Sequence, residues 1–120
     1  MMGFTPAQRY YLSREPADMR KSYDGLSGLV RQGMGRDPLS GEVFIFLSRR
    51  RTMIKILVWD RSGFVVWSKR LERGTFELPL RPQAGSSVAL SWEELVMILE
   101  GVRLSSIQRR KRYSREKAAV

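Results

Sequence analysis

The stretch VFIFLSRRRTMIKILVWDRSGFVVWSKRLERGTFEL, residues 43–78, decides the fold. Residues 43–47, 53–59, 64–71 and 75–78 are short runs rich in β-branched and aromatic side chains, the composition of strands. Between them stand Arg49-Arg50-Arg51, Asp60-Arg61-Ser62-Gly63 and Glu72-Arg73-Gly74. These breaks are too short to hold a crossover, so each strand must turn back on the one before. Asp60 suits the first position of a tight turn and Gly63 the last. The stretch therefore predicts an antiparallel meander of four strands.

A meander puts alternate turns at the same end of its sheet. The turn at Arg49–Arg51 and the turn at Glu72–Gly74 should thus be neighbours. Arg49, Arg50, Arg51, Lys69, Arg70 and Arg73 then gather within roughly 10–15 Å, given a strand spacing near 4.8 Å. Only Glu72 offsets them. A lone triple-arginine turn is explained by solvation of a hairpin and protection of a sheet edge. Two converging basic turns favour a surface that grips phosphate, which positions a protein on nucleic acid without reading sequence.

Outward from this core, RYYLS at residues 9–13 reads as a further, initial strand. SYDGLSGLVRQGMG, residues 22–35, brings Leu26, Leu29 and Val30 onto one helix face. Gly25 and Gly28 weaken that helix, and Gly28 is read as allowing close packing on the sheet. Gly33 or Gly35 ends it, before the break at Asp37-Pro38. Residues 81–87 read as a loop. Ser91-Trp92-Glu93-Glu94 is a capping box opening a second helix that presents Trp92, Leu95, Val96 and Leu99 and stops at Gly101. The expected architecture is α+β: an antiparallel β-meander of four to five strands packed with two helices, plus a basic C-terminal tail. Whether the sheet closes into a barrel-like form is left open. Residues 8–102 make the single domain and 103–120 the tail.

Charge bounds the function. The 120 residues carry 22 Lys and Arg against 12 Asp and Glu, a net +10. Arginine makes up most of the excess, and its fork matches phosphate or carboxylate in a way lysine cannot. A polyanion is the expected partner, DNA first and an acidic protein second. The tail, RLSSIQRRKRYSREKAAV, concentrates positive charge, and its Arg109, Arg110, Lys111 and Arg112 read as a nucleic-acid-gripping arm. A solvated, solubilising end is the plainer explanation of such a run. Trp59, Phe64 and Trp67 suit base stacking, or more simply the core of a sheet.

Other chemistries find little support. The chain has no Cys and no His, so zinc sites built on those ligands and Cys or His nucleophile–base pairs are excluded. The first sixteen residues hold no apolar run long enough for a signal peptide, and no stretch is long enough to span a membrane. These features fit a cytoplasmic protein. No Walker-type phosphate loop is present, because GLSGLVRQGMG lacks the Gly-Lys-Ser/Thr ending. A metal-dependent nuclease needs converging carboxylates. The candidates are Asp18, Asp24, Asp37, Asp60 and Glu72, and no lysine has an acid two residues before it, as a common nuclease arrangement requires. No catalytic residue, metal ligand, cofactor or small-molecule substrate is assigned.

DMRKSYDGL (18–26), residues 37–79 and LSWEELVMILEGV (90–102) together resemble the TnpB accessory proteins of the insertion sequence 66 family of bacterial transposable elements. These are distinct from the RNA-guided nuclease that shares the name. The resemblance runs from about Tyr10 to Val102. It implies a protein that assists transposition beside a separate, larger transposase that performs the strand-transfer chemistry. The family's recurring residues correspond here to Asp18, Arg20, Lys21, Asp24, Gly25, Lys55, Trp59, Asp60, Trp67 and Leu71, with Arg49–Arg51, Lys69 and Arg70. The leading expectation is a non-catalytic DNA-binding factor. The alternatives are an adaptor that docks on the transposase and, behind it, a nuclease using Asp18 or Asp24.

Overall fold

A computed structural model describes residues 3–79 and 85–101. Its elements are β1 (Tyr10–Ser13), α1 (Tyr23–Gly28), β2 (Val43–Leu47), β3 (Met53–Asp60), β4 (Gly63–Arg70), β5 (Ser87–Leu90) and α2 (Trp92–Leu99). A π-helical turn, Leu29–Gly33, continues α1. The five strands form one sheet in the order β4-β3-β2-β1-β5. The architecture is α+β, with the meander intact over β2, β3 and β4. The sheet is mixed, because β1 runs parallel to β2. It is open, with β4 and β5 as its two edges, and does not close into a barrel.

Two details of the strand reading need correction. Residues 75–78 do not form a strand; the ring of Phe76 is instead fully buried in the core. Phe76 also donates its amide to the Arg51 carbonyl, 2.7 Å away, so one backbone bond stands where a ladder was expected. The outermost strand comes from Ser87–Leu90, which pairs antiparallel with β1 and takes in the last residue of the expected loop.

The sheet has a helix on each face. One face packs Tyr10, Leu12, Val43, Ile45, Ile54 and Ile56 against Leu95, Ile98 and Leu99 of α2. The opposite face packs Tyr11, Phe44, Phe46 and Leu57 against Leu26 and Val30 of the first helix. This explains the unbroken apolar run VFIFL: β2 is central and covered on both sides, so every one of its residues is buried. Leu26 and Val30 lie wholly inside, as their spacing predicts, while Leu29 is half-buried.

The glycine expected to approach the sheet is not the tight one. A Cβ added at Gly28 would meet nothing within 4 Å, whereas one at Gly25 would stand 3.0 Å from the Cβ and Cγ of Lys21. The close contact is thus between α1 and the segment before it. The second helix begins as its sequence requires. Ser91 Oγ accepts from the Glu94 amide, and Glu94 Oε1 accepts from the Ser91 amide. Gly101, at φ 76°, ends the described part of the chain in a conformation that favours glycine. The tail at 103–120 lies outside the described residues, as do residues 80–84.

Candidate nucleic-acid interface

The β2–β3 turn is built by Ser48. Its hydroxyl accepts from the amides of Thr52 and Met53, each at 3.1 Å, and its carbonyl accepts from Arg51 at 2.9 Å. The loop so closed holds Arg49, Arg50 and Arg51, all exposed. Arg51 sits at φ 59°, a left-handed backbone that arginine seldom takes. Arg61, in the β3–β4 turn at the other end of β3, carries the second such value, 52°.

The second basic turn is fastened to the first by two backbone bonds. Leu71 donates to the Thr52 carbonyl at 2.8 Å and Phe76 to the Arg51 carbonyl at 2.7 Å. The bend at 72–74 lies between these anchors, so Arg73 and the preceding Arg70 stand beside Arg49–Arg51, at one end of the sheet. The register agrees, since Arg70 lies opposite Met53. Among the described residues, none of these five arginines has an ion pair; the two ion pairs are Arg20–Asp18 and Arg36–Glu42.

Lys69 belongs to the same end but has a partner within the fold. It lies opposite Ile54, on the face covered by α2, and its ammonium donates to the Leu99 carbonyl at 2.8 Å. A cation there satisfies an orphan carbonyl in the last turn of the helix and complements the helix dipole. The same bond places the C-terminal end of α2 beside the basic turns. Gly101, from which residues 102–120 continue, is therefore at this end of the molecule. Arg109, Arg110, Lys111 and Arg112 lie outside the described residues.

The DMRK segment forms a separate unit. Asp18 accepts from the Arg20 amide at 2.9 Å, and its two oxygens accept from Arg20 Nε and Nη2 at 2.8–3.1 Å. The guanidinium beside it holds the Asp18 carboxyl down to about 2. Lys21 packs its stem where a Gly25 side chain would go and accepts from Lys55 Nζ at 2.8 Å through its carbonyl. Lys21 and Lys55 thus join the segment before α1 to β3, with Gly25 packed on the Lys21 stem, while Asp18 and Arg20 pair with each other at the surface. Asp24 is exposed in the first turn of that helix, where a negative charge is favoured. No group of three or more acidic side chains able to hold a metal occurs among the described residues.

Asp18 supplies a pH prediction. A depressed carboxyl stabilises the fold above its unfolded value and loses that contribution as pH falls through the folded one, here between about 4 and 2. Carboxyl NMR should find the Asp18 midpoint near 2, and Arg20→Ala should return it toward about 3.9. A midpoint unchanged by that substitution would contradict the bidentate pair.

The aromatic candidates are used by the sheet. Trp59 and Phe64 face each other across β3 and β4, edge to face at 5.0 Å. Trp67 lies opposite Ile56 and packs into the α2-side core. Asp60 is exposed at the end of β3, opposite Gly63. Sequence reasoning missed Ser48 and the amide of Phe76, which shape and anchor the basic end. A serine heading a polar turn was the available signal for the first.

A model of the IS66 Orf2-like proteins matches residues 8–109. The chain belongs to this family. It is 29% identical over 110 residues to the uncharacterized protein y4jC of Sinorhizobium fredii, covering 92% of each chain. It is 30% identical over 94 residues to y4hO of the same organism, described in the same words, covering 78% of this chain and 80% of that one. No solved structure matches significantly. Membership of the IS66 Orf2-like family identifies an accessory protein of insertion-sequence transposition. No helix among the described residues is long and apolar enough to cross a membrane.

Proposed function

We propose that this IS66 Orf2-like protein is a non-catalytic factor that binds DNA during transposition. Arg49, Arg50, Arg51, Arg70 and Arg73 contact phosphates, and the tail residues Arg109–Arg112 extend the contact. The observation that carries the reading is the tethering of the two basic turns by the Leu71 and Phe76 amides, with the arginines exposed. Attachment of the tail at the same end supports it. Lys69 serves the surface indirectly, by seating α2 against β4. The partners are the transposable element's DNA and, beside it, the transposase, in the cytoplasm.

Arg51 tests this reading against a purely solubilising role. An L-residue in the left-handed region costs roughly 1 kcal/mol that glycine does not. Both backbone bonds made by Arg51 survive in glycine. Arg51→Gly should therefore leave stability unchanged or raise it by about 0.5–1 kcal/mol in urea unfolding. DNA affinity should nevertheless fall, and the salt slope should flatten by about 0.9 for one lost phosphate contact. A more stable variant with unaltered affinity and slope would assign the arginine to solubility alone. If DNA binding is absent altogether but the transposase is retained after nuclease treatment, the adaptor reading takes its place.

A further inference from the structure

We infer that two copies of this chain pair through β4, edge to edge and antiparallel, into one continuous ten-stranded sheet. β4 is an edge eight residues long, with every residue in regular register with β3 and no bulge. The opposite edge, β5, has four residues, and so short an edge is a weak template. Edges are ordinarily guarded by charges, proline or a bulge. β4 carries its charges, Lys69 and Arg70, only at its C-terminal end, and Phe64-Val65-Val66-Trp67 itself holds no charge, proline or bulge. Val65 is 47% exposed on the α2 side.

The hydrogen-bond pattern fixes the register that two copies can adopt. Leu71 donates to Thr52, so alternate residues back from Leu71 turn their amides and carbonyls toward β3. Those of Phe64, Val66 and Ser68 consequently point outward. In an antiparallel pair, outward groups must face outward groups. A two-fold axis through Val66 satisfies this: Val66 faces its own copy and Phe64 faces Ser68. On the α2 side, exposed Val65 then lies against Trp67 of the other copy. This register also keeps like charges on β4 from facing one another. Lys69 faces Gly63 and Arg70 faces Ser62, so the basic ends are kept apart, and the turn bearing Arg61 comes alongside the other copy's Leu71 and Glu72.

One consequence rests on the proposed DNA binding. Leu71 is five residues from the axis, so the two basic ends stand roughly 34 Å apart along the strands. That is about one turn of B-form DNA, the spacing of paired half-sites.

The pairing itself is tested without DNA. Sedimentation equilibrium of the full chain should show a dimer at concentrations in the tens of micromolar, strengthened by added salt because two strongly basic copies repel. DNA binding has the opposite salt dependence, so failure of one reading is distinguishable from failure of the other. Val65→Lys should weaken the dimer at least tenfold while leaving the monomer folded, since the side chain is already half in solvent. The chain has no cysteine, so a single introduced thiol reports the register. Val66→Cys should be joined to its copy by a short thiol-specific cross-linker, its Cα atoms being about 5.5 Å apart across a hydrogen-bonded pair. Arg70→Cys, far from its counterpart, should not. A chain monomeric at several hundred micromolar, a dimer indifferent to Val65→Lys, or faster cross-linking at position 70 than at 66 would each overturn the inference.

Discussion

Alanine at Arg49, Arg50 and Arg51 together is expected to lower DNA affinity by about 10²–10³-fold near 0.1 M salt. Each phosphate contact contributes about 0.9 to the slope of log K against log salt, so the loss of three flattens it by roughly 2.7. The wild-type and variant lines should converge toward 1 M salt, where such contacts are screened. The fold should be nearly unaffected. All three side chains are exposed, and the turn is closed by Ser48 and by main-chain bonds that alanine keeps. Thermal unfolding within about 0.5 kcal/mol of wild type is the necessary control. The loss should be equal on transposable-element ends and on random DNA, because phosphate contacts carry no base information. A loss confined to the element ends would mean base readout by these arginines. Parallel lines with equal slope would remove them from the interface.

The legibility of this surface in the sequence has a definite limit. Strand boundaries and turn residues sufficed to bring Arg49–Arg51 and Arg70–Arg73 to one end, because a meander fixes which turns are neighbours. They could not show that Lys69 points to α2. That depends on the hairpin register, and a shift of one residue would move every side chain of β4 to the other face. The register is now visible in the pairing of Lys69 with Ile54.

The parallel β1–β2 pair was hidden for a different reason. The connection between the two strands is long and carries a helix, which is the mark of a crossover. VFIFL also has the unbroken apolar character of a strand buried on both faces. RYYLS alone, however, does not say which edge of the meander it joins. Lys21 of the DMRK segment and Lys55 of β3 recur in the family, but the sequence does not say that they meet. Their bond spans 34 residues of sequence, and no local spacing announces it. The start of the second helix was legible because capping chemistry is local: Ser91 and Glu94 satisfy each other three residues apart. Its buried face was read less well, since Ile98 lies in the core and Val96 is only partly buried.

Phe76 joins the core to the basic end, and Phe76→Ala should have the largest effect on stability of any change argued here. The side chain is wholly inaccessible and packed into the cluster beneath α2. Truncating a buried phenylalanine costs about 3–5 kcal/mol, part for lost burial and part for the cavity left behind. Domains of this size are stable by about 5–15 kcal/mol, so the variant should lose a large share of its margin. Urea unfolding should show a much lower midpoint at similar slope. Phe76→Leu, which keeps most of the volume, should cost less than about half as much. The main-chain bond to Arg51 is available to every residue but proline, and its geometry depends on the ring holding residues 74–79 against the sheet. Phe76→Ala should therefore also loosen the turn at the basic end, seen as faster amide exchange at Phe76 and Leu71 while the protein is still folded. A cost below about 1 kcal/mol, with exchange at both amides unchanged, would mean that this segment does not plug the core and that the two basic turns are held together by something else.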